Sequence, residues 1–164
     1  GKMIKSEECP DLISDCIRKR IQLFQANNNA FLVVPQNESA IGESIYFTQK
    51  DIREVQLAKG AIMSGIAILL KQAKISSDDI DEILLAGAFG NYIHTASAVR
   101  IGMIPDISPK PIRLIGNAAG RGAEKILLNQ QFRKKAETLS KEINYIELSA
   151  CQDFQTIFTQ SLFF

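Results

Sequence analysis

An α/β fold is predicted by three observations. Two short apolar runs each break into glycine, a long amphipathic helix precedes them, and further helices alternate with short strands. The first glycine junction reads Ile83-Leu84-Leu85-Ala86-Gly87-Ala88-Phe89-Gly90, the second Ile112-Arg113-Leu114-Ile115-Gly116-Asn117-Ala118-Ala119-Gly120-Arg121-Gly122. Each run suits a strand buried on both faces. Glycine at such a break admits a ligand close to the backbone, and the following helix turns its N-terminal N–H groups toward the sheet's carboxyl edge. Open α/β sheets bind nucleotides and other small ligands at that edge. The same pattern also serves plain packing of helix on sheet.

The elements follow in order. Residues 8–26 read as a helix, with Pro10 in its first turn and Leu12, Ile13, Cys16, Ile17, Ile21 and Phe24 on one face, ended by Asn27-Asn28-Asn29. Phe31–Val34 and Ile45–Thr48 read as strands that could form a hairpin around the polar stretch Pro35–Glu43. Thr48 and Asp51 form a capping box for the longest helix, whose apolar stripe is Ile52, Val55, Ala58, Ile62, Ile66, Leu69 and Ala73. Ser76-Ser77-Asp78-Asp79 breaks it. Thr95–Ile101 is a short helix ending at Gly102, and Asn117 caps a helix to about residue 129. A polar helix covers about 131–142, Tyr145–Leu148 reads as a last strand, and Cys151–Phe164 as an amphipathic helix.

Bulk properties remove several function classes. A chain of 164 residues fits a single domain, 1–164, with a helical lead-in over 1–30. Its formal net charge of +1 argues against nucleic-acid binding driven by bulk electrostatics. No apolar run approaches the roughly 20 residues of a membrane span, and Glu7 and Glu8 interrupt any secretory signal. Three unpaired cysteines (Cys9, Cys16 and Cys151) suit a reducing compartment, so a cytoplasmic location is expected. With one histidine, His94, no metal site is expected; His94 itself reads as a solvated loop residue. A chain opening on Gly1 is expected to be a piece of a longer protein.

Neither glycine cluster is a standard phosphate loop. Gly87 and Gly90 give G-x-x-G, Lys125 stands where a third glycine would follow Gly120 and Gly122, and no Gly-Lys-Ser/Thr occurs. Gln56 and Lys59 are neighbours on the surface of the long helix at i and i+3. Gly60 and Gly65 cost that helix roughly 1 kcal/mol each against alanine. They are explained either by close approach of a ligand or another backbone, or by tight packing on the sheet. Asp51, Asp78, Asp79 and Asp81 read as charges at helix starts and not as a catalytic carboxylate pair.

The stretch Thr48–Ile62, the run Leu85-Ala86-Gly87-Ala88-Phe89-Gly90-Asn91-Tyr92-Ile93, Ile101-Gly102-Met103-Ile104-Pro105, Gly116-Asn117-Ala118-Ala119 and Tyr145-Ile146-Glu147-Leu148 occur together in this order. Over about residues 31–164 they resemble the C-terminal part of the reductive activators of corrinoid-dependent enzymes. These are iron–sulfur proteins with an ATPase domain of the acetate kinase, sugar kinase, Hsp70 and actin (ASKHA) superfamily. The resemblance implies a ribonuclease-H-like, actin-like ATPase half-domain, a small mixed sheet flanked by helices. It implies a parent protein whose iron–sulfur cluster returns a cobalamin protein from Co(II) to Co(I) with the help of ATP. Gly87, Ala88, Phe89 and Gly90 match the superfamily's adenosine motif. Gln56 and Lys59 lie on the helix that flanks the adenosine by analogy, and Asn117 matches the last strand-to-helix junction.

The departures are specific. The superfamily's Asp-Gly-rich phosphate hairpins have no counterpart, since neither Asp-x-Gly nor Gly-Gly-Thr occurs. The four-cysteine cluster motif is missing as well, so the iron–sulfur centre is expected outside this chain. The implied partners are a corrinoid protein and the missing N-terminal half, with self-association as a further route to cover the exposed surface. The chain alone is expected to bind adenosine nucleotides weakly and to turn over no ATP. Two other readings stay open: a non-catalytic docking module of a larger iron–sulfur protein, and half of a sugar-kinase-like enzyme.

Overall fold

The computed structural model describes residues 14–24, 28–87 and 92–164, which divide into two compact units. One takes in the described residues up to Ala58 together with Leu162–Phe164; the other runs from Lys59 to Ser161.

The first unit opens on a short helix, α1 (Asp15–Arg18), followed by three strands, β1 (Ile21–Phe24), β2 (Asn28–Val34) and β3 (Ile45–Thr48). They form an antiparallel sheet in the order β1-β2-β3. Phe31 sits opposite both Ile21 and Phe47, a cross-strand arrangement of aromatic and branched side chains that favours sheet. Ala30, opposite Gln22 and Thr48, is fully buried. The expected pairing of Phe31–Val34 with Ile45–Thr48 is present, with an irregularity between Leu32 and Val34.

The lead-in differs from the sequence reading. Residues 8–13 of the expected helix lie outside the described residues, the described part is helical only over Asp15–Arg18, and Ile21–Phe24 is strand. A four-residue apolar run satisfies either period, and pairing with Asn28–Phe31 decides for the strand. Asn28 and Asn29, read as helix terminators, belong to β2.

Helix α2 (Gln49–Ala73, 25 residues) begins in the first unit and continues into the second. Its start is the predicted capping box: the Thr48 N–H donates to Asp51 Oδ2 at 2.7 Å, and the Asp51 N–H donates to Thr48 Oγ1 at 3.3 Å. The buried side is not the predicted aliphatic stripe. It comprises Lys59, Gly60, Ser64 and Ile68, whereas Ile62 and Leu69 are exposed. Small residues permit a closer approach than the aliphatic stripe does. Ser64 satisfies its buried hydroxyl by donating to the Gly60 carbonyl at 2.6 Å.

In the second unit, β4 (Ile83–Ala86) and β5 (Ile112–Gly116) pair in parallel, with Ile83 opposite Ile112 and Leu85 opposite Leu114. The strands are not buried on both faces as the sequence suggested, for Leu84 and Leu114 are about half exposed. In place of one mixed sheet, the described residues form an antiparallel sheet in one unit and a separate parallel pair in the other, within the expected α/β composition. Between β4 and β5 lies α3 (Thr95–Arg100), which ends at Gly102 with φ +69° as predicted. Buried Ala98, Ile104 and Ile107 join Ile68 as the most enclosed apolar side chains here.

Helices α4 (Ala118–Leu128), α5 (Gln130–Glu142) and α6 (Phe154–Ser161) complete the unit, all three at the expected places. Tyr145–Leu148 is not a strand; Leu148–Ala150 forms a 3-10 turn instead. The Leu148 side chain lies 3.5 Å from where a Cβ on Gly65 would stand. That is an ordinary van der Waals contact, so Leu148 is a neighbour of Gly65 and does not itself require glycine there.

Candidate functional site

The carboxyl ends of β4 and β5 bring the two glycine junctions together. Parallel pairing puts both strand ends on one edge, and the Gly87 N–H donates to the Gly116 carbonyl at 2.8 Å. Both glycines lie in the left-handed half of backbone space, Gly87 at φ +92° and Gly116 at φ +62°, where side chains are strained. Among the described residues, a Cβ built on Gly87 would meet nothing within 4 Å. Ala88, Phe89 and Gly90, the rest of the predicted adenosine motif, lie outside the described residues.

Asn117 caps α4. Its Oδ1 accepts from the Gly120 N–H at 2.8 Å, satisfying one of the helix's orphan donors. A Cβ on Gly120 would fall 2.5 Å from Asn117 Nδ2, so a side chain at 120 would make the carboxamide shift from its present position. The Arg121 guanidinium donates back to the Ile115 carbonyl. Residues 115–121 thus hold their own shape, and the Asn117 carboxamide oxygen is committed to the helix start.

Lys59 is nearly inaccessible, 1% exposed. Its Nζ would be 3.6 Å from a Cβ on Gly102, which puts the ammonium against the turn that closes α3. There Gly102 N–H donates to the Val99 carbonyl and Met103 N–H to the Ala98 carbonyl, both at 2.9 Å. Burial disfavours the charged ammonium and holds its pKa below the ordinary 10.5. Gln56 falls in the other unit, where its Nε2 donates to the Leu162 carbonyl at 2.9 Å. Of the predicted residues, then, the structure unites Gly87 with the junction that carries Asn117. Lys59 is buried against the α3 turn, and the Gln56 amide is tied to Leu162.

Sequence reasoning placed Gly116 in the second glycine junction and Gly102 at a helix end, but counted neither among the adenosine residues. The signal for Gly116 was available: a glycine closing a strand next to a second such strand must lie beside its partner if the two pair in parallel. His94 is exposed as expected, but it has a structural task. Its Nδ1 accepts from the Ser97 N–H at 3.3 Å and so caps α3. Cys16 and Cys151 are free thiols, exposed and half-buried respectively, and Cys9 lies outside the described residues. Among the described residues no group of three His, Cys, Asp or Glu is placed to hold a metal ion, and no helix is long and apolar enough to cross a membrane.

The chain is similar to known proteins in sequence and fold. Residues 6–164 match the sequence family described as the "C-terminal domain of RACo the ASKHA domain". "Corrinoid activation enzyme RamQ" of Eubacterium limosum is 36% identical over 164 residues, all of this chain and 27% of that protein. A "[Co(II) methylated amine-specific corrinoid protein] reductase" of Methanosarcina barkeri is 24% identical over 130 residues, 78% of this chain and 24% of that protein. The solved structure of a "Reductive activator for corrinoid,iron-sulfur protein" superposes with a TM-score of 0.77 at 27% identity, covering 99% of this chain and 25% of the other. The chain therefore spans about a quarter of the length of the proteins it matches. With a family match over nearly its whole length, the chain belongs to the C-terminal ASKHA domains of corrinoid reductive activators.

Proposed function

We propose that this chain is the nucleotide-binding C-terminal part of an ATP-dependent reductive activator that returns Co(II) corrinoid proteins to Co(I). The observation that carries the reading is the Gly87–Gly116 edge. It combines two left-handed glycines and a hydrogen bond of 2.8 Å, with no described atom within 4 Å of a Cβ at Gly87. Such an edge fits the flat face of an adenosine, because glycine itself brings no side chain between ligand and backbone. When bound, ATP would supply the free energy of hydrolysis that assists an uphill electron transfer. Gly87 and its neighbours would hold and orient the base and ribose, with Gly116 fixing their position from the adjoining strand.

The Mg²⁺-phosphate elements and the electron-delivering cluster belong, on this reading, to the part of the protein outside this chain. The sequence contains no Asp-x-Gly hairpin, and its three cysteines cannot supply the four thiolates of a ferredoxin-type cluster. A corrinoid protein is the partner, and the cytoplasm the compartment. Titration calorimetry of this chain with ADP and AMP tests the nucleotide assignment. Saturable heat at submillimolar to millimolar ligand is expected from wild type, and none from Gly87→Val. No heat from wild type at millimolar nucleotide would overturn it.

A further inference from the structure

Helices α4 and α5 contact one another, yet neither contains a buried residue. A cleft of about 310 Å³ lies at their junction, lined by Arg121, Glu124, Lys125, Leu128, Asn129 and Phe132. Leu127 and Leu128 are each 75% exposed, an unusual state for two consecutive leucines at a helix end. Phe132 forms the other wall and carries the Lys125 Nζ over its ring at 5.5 Å. The turn after Phe132 adds exposed Arg133, Lys134 and Lys135. Six basic residues face three acidic ones over residues 118–142, so this stretch is more positive than the whole chain, whose net charge is only +1.

We propose that the α4–α5 cleft docks an acidic amphipathic helix of a partner protein. The apolar floor of Leu128 and Phe132 takes leucine-like side chains repeating at i, i+3, i+4 and i+7, and the surrounding cations pair with carboxylates on the helix flanks. Charge complementarity selects the acidic partner. Concavity selects a helix over a lipid surface, which meets a protruding apolar face and not a cleft. A nucleic acid would leave the exposed leucines uncovered and would meet Glu124 in the wall. The site does not depend on nucleotide binding at the Gly87 edge, and the two assignments fail separately.

The test uses the 164-residue chain and a fluorescein-labelled Leu/Glu peptide of about 18 residues, long enough to hold a helix. Fluorescence anisotropy at about 0.05 M salt should give saturable binding that weakens by about tenfold at about 0.5 M. Leu128→Asp and Lys135→Glu, both at exposed positions, should each weaken it by about tenfold while the circular dichroism spectrum stays that of wild type. A Leu/Lys peptide of the same pattern should not bind. The proposal is overturned if the Leu/Glu peptide does not bind, if the Leu/Lys peptide binds equally, or if both variants bind like wild type. It is also overturned if the chain sediments as a dimer that Leu128→Asp dissolves, or binds anionic phosphatidylserine vesicles through the same residues.

Discussion

The Gly87 amide donates to the Gly116 carbonyl at 2.8 Å, joining the ends of two parallel strands through two residues that both have positive φ. Each glycine supplies half of the arrangement. Gly116 turns its carbonyl toward the neighbouring strand, and Gly87 presents its N–H with no side chain of its own.

That geometry predicts the cost of a side chain at Gly87. The described residues impose no clash within 4 Å, so the expected penalty is that of backbone conformation. Gly87→Ala should lower stability by about 1–2 kcal/mol, the usual cost of holding an L-residue in left-handed space. Urea unfolding measures it. Stability equal to wild type would show that residue 87 relaxes to negative φ.

At the start of α4, Asn117 and Gly120 are coupled. Asn117→Ala should cost about 1 kcal/mol through loss of the cap. Gly120→Ala in wild type should cost a comparable amount, because its Cβ would collide with the Asn117 carboxamide. In an Asn117→Ala background the same change should become neutral or stabilising, since alanine is favoured over glycine in helices by up to about 1 kcal/mol. Additive effects in the double-mutant cycle would disprove the coupling.

Buried Lys59 makes stability depend on alkaline pH. Its folded pKa is depressed, so the unfolded chain binds more protons between that pKa and the ordinary 10.5. Unfolding free energy therefore rises with pH across that window and carries the full burial cost below it. Urea midpoints for wild type, measured relative to Lys59→Met, should climb as pH is raised toward 10.5. A constant difference would remove desolvation as the cause.

The two capping boxes act at the acid end. Thr48 N–H and Oγ1 both donate to Asp51, and Ser76 N–H and Oγ both donate to Asp79. These bonds, first those from the backbone, hold both carboxylates below the ordinary 3.8. Their contribution is complete above that value and is lost as pH falls through the depressed pKa. Melting temperatures should drop on acidification more steeply in wild type than in Asp51→Asn, which has lost the titrating group already. Parallel curves would contradict the assignment.

Gln56→Ala tests what that side chain does. If its amide serves chiefly to hold the Leu162 carbonyl, stability should fall by about 0.5–1.5 kcal/mol, the net worth of one hydrogen bond, with nucleotide affinity unchanged. A loss of affinity at unchanged stability would return Gln56 to the nucleotide site.

Much of this was legible in the sequence because the signals were local. Thr48 with Asp51, Asn117 at the start of α4 and Gly102 after α3 follow from side-chain chemistry within one turn, and the structure has them all. What the sequence hid depended on neighbours distant along the chain. Ile21–Phe24 fits a helical stripe as well as a strand until it pairs with β2. The buried face of α2 is Lys59, Gly60, Ser64 and Ile68 and not the expected stripe, and helical spacing along one element does not say which of its faces the rest of the fold covers. Tyr145–Leu148 has strand-like composition but no partner strand, and Leu148 settles against Gly65. At the candidate site, Gly87 stands out in the sequence after an apolar run, while its expected adenosine role rests on the family resemblance. The burial of Lys59 and the tie between Gln56 and Leu162 involve contacts that no spacing along α2 reveals.

The distance of 2.5 Å between the Asn117 carboxamide and a Cβ at position 120 constrains how sequences of this family drift. Neither position is free to change first without cost. A lineage that gains a side chain at 120 must re-aim the Asn117 carboxamide or exchange it for a smaller cap, such as serine, and one that loses the asparagine is released to replace the glycine. The two positions should covary across related chains, Asn with Gly and other caps with Ala. Paired columns in a family alignment would then record this helix start in chains whose structures are unsolved.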